Sequence, residues 1–125
     1  MNVRRRVGDD YDLWLRFSAR YRFHYFADYV TEYRVMADQI SSDYEARFRS
    51  NAETLREFQA RFPDVMTGRE FRSGWASFYL SCGRHYASHR QFGAALRSYG
   101  RALRMAPRSV GPWRAIAKLV LLRDG

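Results

Sequence analysis

The chain has 125 residues, 46% hydrophobic and 17% aromatic, enough apolar side chain to pack one domain or two small ones and too much for a disordered chain. Its 22 basic residues against 13 acidic ones give a formal charge of +9, and Lys118 is the only lysine, so the excess is arginine that suits anions in general and names none. Cys82 is the only cysteine, which excludes an intrachain disulfide and fits a cytoplasmic chain, and the longest apolar run, Leu119 to Leu122, is too short to span a bilayer.

In chain order, Met1 to Val7 carries Arg4, Arg5 and Arg6 without periodicity and without the apolar stretch of a signal peptide, and reads as the cut end of a larger domain. Asp9, Asp10 and Asp12 follow at a predicted helix start, where the helix dipole and free backbone N–H groups favour carboxylates. From Asp10 to about Arg20 the apolar residues Leu13, Trp14, Phe17 and Tyr21 recur at helical spacing, with Asp12 and Arg16 one turn apart. Trp14 therefore falls on an apolar face, where a tryptophan is usually core. Arg22 to Phe26 and Tyr29 to Val35 are aromatic and β-branched, which predicts two short strands with a turn at Ala27-Asp28. His24 has no second ligand at a ligand-like spacing and reads as a structural histidine.

The stretch GDDYDLWLRFSARYRFHYFADYVTEYRVMADQIS, Gly8 to Ser41, resembles the C-terminal part of the catalytic domain of family 2 glycosyltransferases, the GT-A group. The likeness is carried by Asp9-Asp10, the run Asp12 to Arg16, Tyr33-Arg34 and Ser41. It implies that Asp10 stands where the family keeps the base that takes a proton from the acceptor hydroxyl, a task that suits a carboxylate within reach of that proton. It also implies that Asp9 and Trp14 lie near the acceptor, that a nucleotide sugar and a hydroxyl acceptor are the substrates, and that the whole enzyme uses a divalent metal, Mg²⁺ or Mn²⁺. Met36 stands where many members place a metal-binding histidine, and a thioether is a poor ligand for hard cations, so no metal ligand or cofactor is expected in this chain. The family's nucleotide-binding half, with its D-x-D motif, would lie before Gly8. On this reading the chain is inactive alone.

Ser42-Asp43-Tyr44-Glu45 reads as a capping box opening a long helix, with Tyr44, Phe48, Ala52, Leu55, Phe58 and Phe62 on one stripe and Pro63 ending it. A basic amphipathic helix of this kind can lie on a membrane surface, and packing against neighbouring helices explains the stripe as well. Pro63 to Gly68 reads as a linker, dividing a glycosyltransferase-like segment, 1–66, from a helical region, 67–125. Thr67-Gly68-Arg69-Glu70 is a second capping box.

Beyond it, Tyr79, Cys82, Gly83, Tyr86, Ala95, Tyr99, Ala102 and Pro107 resemble the fixed positions of a tetratricopeptide repeat, a helix-turn-helix unit of 34 residues. One repeat on, Trp113 and Ala117 open another helix. Such repeats bind peptides, and a helical cap bracing a catalytic domain carries the same signature. His85 and His89 have a zinc-compatible spacing without a third ligand, and Arg97, Arg101, Arg104 and Arg108 form a stripe without a recognised nucleic-acid motif. The expected fold is mainly α: a helix and a short β-hairpin-like segment, then a helical array. The expected function is the acceptor side of an inverting glycosyltransferase, cytoplasmic or peripheral at a membrane. The alternative is a small helical protein–protein interaction module.

Overall fold

A computed structural model describes residues 9–32 and 43–123. Among them are five helices: α1 (Asp9–Ser18), α2 (Tyr44–Arg61), α3 (Gly68–Ser88), α4 (Phe92–Met105) and α5 (Val110–Arg123). The chain divides into two compact units, Met1–Val65 and Met66–Gly125. The mainly α class holds. Tyr33, Arg34, Met36, Ser41 and Ser42 lie outside the described residues, as do Arg4, Arg5 and Arg6.

In the first unit α1 packs on α2. Arg16 donates to the Asp12 carboxylate at 2.8 Å across one turn, the pairing that the spacing predicts. The expected β-hairpin is not shown. Residues 21–32 run without regular structure, and from 22 to 32 the backbone makes no hydrogen bond among the described residues. Their aromatic composition favours a strand, but a strand also needs a neighbour to pair its N–H and C=O groups, and none of the described residues supplies one. α2 is capped by Asp43 rather than by Ser42, its carboxylate accepting from the Ala46 N–H at 3.0 Å. Phe58 of the apolar stripe is buried, and Thr54 joins it with no exposed surface at all.

In the second unit α3 begins at a complete capping box. The Glu70 N–H donates to the Thr67 hydroxyl, and the Glu70 carboxylate accepts from the Thr67 N–H at 2.8 Å. α3 ends in a Schellman turn, with Gln91 N–H bonded to Tyr86 C=O and Arg90 N–H to Ala87 C=O, and Arg90 holds the left-handed position at φ 58°. The chain turns back into α4, which covers the face of α3 around Gly83 and Cys82; both are buried, with Ala95, Tyr99 and Ala102 opposite them. Tyr99 sits directly on Gly83. α5 closes the unit against α4 and α3, its buried Pro112 tolerated in a first turn where no helical N–H bond is lost. The core joins Ala95, Tyr99 and Leu119 to Leu80, Tyr86, Phe92 and Ile116.

Candidate functional site

The candidate site of the first unit is the start of α1. Asp9 is its first residue, and Asp10 follows with an exposed carboxylate. Asp10 Oδ1 accepts from the Tyr11 N–H at 2.8 Å, one of the first-turn donors left over by helix geometry. Oδ2 has no protein partner among the described residues. Trp14 lies one turn further along the same side of the helix. Its ring is 54% exposed, against the core position that the periodicity predicts. It meets Phe17 and Phe23 edge to face, with centroids 6.1 and 5.9 Å away. Tyr11 is half-buried, and that burial raises its hydroxyl above the ordinary tyrosine range.

After this helix the irregular segment leaves large apolar side chains in water. Phe23, Tyr25, Phe26, Tyr29 and Val30 are all exposed, Tyr25 at 92%. Isolated exposed apolar residues are ordinary, whereas a contiguous run of them marks a surface built to be covered.

The arrangement puts a solvent-facing carboxylate, an exposed indole and an uncovered aromatic segment in one unit. It can take a proton from a hydroxyl brought to Asp10 Oδ2, and it can offer Trp14 as a platform for an apolar or sugar-ring face. Among the described residues no three His, Cys, Asp or Glu side chains converge as metal ligands. His85 and His89 are neighbours, with ring centroids 4.2 Å apart, but His89 Nδ1 faces the His85 carbonyl oxygen at 2.9 Å and so carries a proton there. His89 acts as the C-cap of α3.

The second unit holds a groove of about 530 Å³ between α3 and α5, with Tyr99 in its lining. Arg84, Arg114 and Lys118 border it without a carboxylate among the lining residues. Burial raises the Tyr99 hydroxyl above its ordinary range, and the positive charge of Arg84 opposes that shift. Sequence spacing singled out the arginines of α4, which lie exposed on its outer face. It missed the groove cations because they come from two helices; only Arg114 and Lys118, four apart, share a face that a sequence displays.

No family model, curated protein or solved structure matches this chain. No helix among the described residues is long and apolar enough to cross a membrane.

Proposed function

We propose that the chain is the acceptor-side part of an inverting glycosyltransferase, joined to a helical extension resembling a tetratricopeptide repeat, and that polypeptide outside these 125 residues supplies the nucleotide-binding half. The observation that carries the reading is the exposed aromatic segment that follows α1, whose Phe23 meets Trp14 one turn along the helix from Asp10. Exposed strand-forming residues with no backbone partner among the described residues are what the edge of a sheet looks like without its neighbouring strands. Asp10 is the base. As the acceptor oxygen attacks the anomeric carbon, Asp10 Oδ2 takes the hydroxyl proton, and the nucleotide diphosphate leaves from the opposite face with the bonding electrons. Asp9 and Trp14 position the acceptor. The divalent metal, Mg²⁺ or Mn²⁺, belongs with the nucleotide half, and no step is assigned to it in this chain.

The test has two parts. Reading the coding DNA upstream of Met1 should reveal an in-frame segment encoding alternating strands and helices with a D-x-D motif. In the enzyme so defined, Asp10→Asn should lower kcat by about 10²- to 10⁴-fold, the usual contribution of a general base, with nucleotide-sugar affinity unchanged. Full activity in that variant, or no such upstream segment, overturns the proposal. Turnover of a nucleotide sugar by the 125-residue chain alone would overturn its inactivity in isolation.

A second reading, a helical protein–protein interaction module, is favoured by the second unit: Gly83 under Tyr99 is the close helix crossing that a tetratricopeptide pair needs, and a basic groove lies beside it. Partner binding lost with Lys118→Glu and untouched by Asp10→Asn would support it.

A further inference from the structure

α5 is apolar on two sides. Pro112, Ala115, Ile116 and Leu119 face the core, while Val110, Trp113, Ala117, Val120 and Leu121 form one outward sector. All five are exposed, Trp113 at 58% and Leu121 at 77%. The indole N–H of Trp113 donates to the Pro107 carbonyl at 3.2 Å, which pins the ring on that surface rather than leaving it to turn inward.

The internal spacing indicates what fits there. Tyr79, Gly83 and Tyr86 of α3 stand 34 residues before Trp113, Ala117 and Val120. On α3 this face is covered by α4, whose Tyr99 rests on Gly83 so closely that an added Cβ would collide with the ring. Ala117 is the small residue at the same place on α5, with a large apolar residue on each side. The exposed sector thus repeats, one unit on, a face already seen to receive a helix.

Charge narrows the choice of helix. Arg114 and Lys118 border the sector and have no carboxylate partner among the described residues. Residues 66–125 hold eleven basic side chains and two acidic ones, so a second copy would bring like charge to the interface. A helix with carboxylates would not.

We propose that the outward face of α5 is a docking site for an acidic amphipathic helix of a partner protein, which seats one large apolar side chain on Ala117 and sets carboxylates against Arg114 and Lys118. The proposal uses no residue of the first unit and stands or falls apart from the glycosyl-transfer reading.

The probe is a labelled peptide with the sequence of Gln91–Ser109 carrying Arg97→Glu, Arg101→Glu and Arg104→Glu, so that it keeps the apolar face of α4 with reversed charge. Its binding to the full chain is read by fluorescence anisotropy. It should bind at least about tenfold more tightly than the unaltered basic peptide, as complementary charge requires. Ala117→Arg and, separately, Leu121→Asp should each weaken binding by about tenfold or more, the scale of a disrupted interface anchor, with helical circular dichroism unchanged. Both positions are exposed, so the core is not at risk. No binding at millimolar peptide, or binding indifferent to both substitutions, overturns the proposal. So does a face that leaves the peptide alone and instead attaches the chain to phosphatidylglycerol vesicles, or pairs two copies in sedimentation, with either association abolished by the same two substitutions.

Discussion

Gly83 shows how one missing methyl group sets the distance between two helices. A Cβ at that position would lie 2.5 Å from Tyr99 Cδ1 and closer still to Cε1, and Tyr99, 2% exposed, has nowhere to retreat. Gly83→Ala gains about 1 kcal/mol of helix propensity but overpacks the core by about 1–3 kcal/mol, so the thermal midpoint of the second unit should fall. Gly74 and Gly100 have nothing within 4 Å of the same added atom, so the identical change there should raise the midpoint, by about 0.5–1 kcal/mol each. Opposite signs from one substitution, read by circular dichroism melting, check the Gly83–Tyr99 crossing directly. Arg90 poses the reverse problem. It occupies the left-handed position of the Schellman turn with a side chain that this backbone disfavours, and Arg90→Gly should stabilise the unit by about 1 kcal/mol. A lower midpoint in that variant would mean that the Arg90 side chain holds something the turn geometry does not show.

At the scale of elements, the start of α3 is tied to pH through its capping box. The Glu70 carboxyl is held below its ordinary value of 4.5, chiefly by the Thr67 backbone N–H and then by the Thr67 hydroxyl. A carboxyl lowered in the folded state stabilises that state above the unfolded value, and the contribution is lost as pH falls through the lowered folded value. Melting curves of the chain should therefore show a loss between about pH 5 and pH 3 that is smaller in Glu70→Gln, the variant being less stable than the parent only at the upper end. This capping box was legible in the sequence because every partner lies within three residues. The stripe of α2 was legible from its helical spacing, whereas the Gly83–Tyr99 pairing joins residues on two helices and was approached only through the repeat-like pattern. Arg22 to Phe26 and Tyr29 to Val35 read as strands for an equally local reason, but pairing is a property of two stretches of backbone, and composition reports only one of them. The cap of α2 moved by one residue, from Ser42 to Asp43, because either side chain can accept a first-turn N–H and the sequence offers both.

For the molecule as a whole, charge and apolar exposure are divided between the two units. Residues 1–65 carry eleven basic and eleven acidic side chains, so the entire +9 lies in residues 66–125. The total was plain from composition, but its partition becomes meaningful only once the boundary between Val65 and Met66 is known. In the first unit an exposed aromatic run, 22–32, has no backbone partner among the described residues. That run yields a test of the proposed sheet edge that does not depend on measuring catalysis. Proteases need an accessible, irregular stretch of backbone, and Arg20 and Arg22 open such a stretch of twelve residues, 21–32, whereas the arginines of α2 to α5 sit in helices and Arg90 and Arg108 in short turns between them. Brief trypsin treatment of the 125-residue chain should therefore cut first after Arg20 or Arg22, as read by intact mass. In the longer enzyme, strands of the nucleotide-binding half would pair with residues 22–32 and cover Phe23, Tyr25 and Tyr29, slowing the same cleavage by the fraction of time the edge stays paired. Equal rates in the two contexts would mean that the segment is covered by nothing in the enzyme, and Asp10 would then have no sheet edge beside it to bound an acceptor cleft.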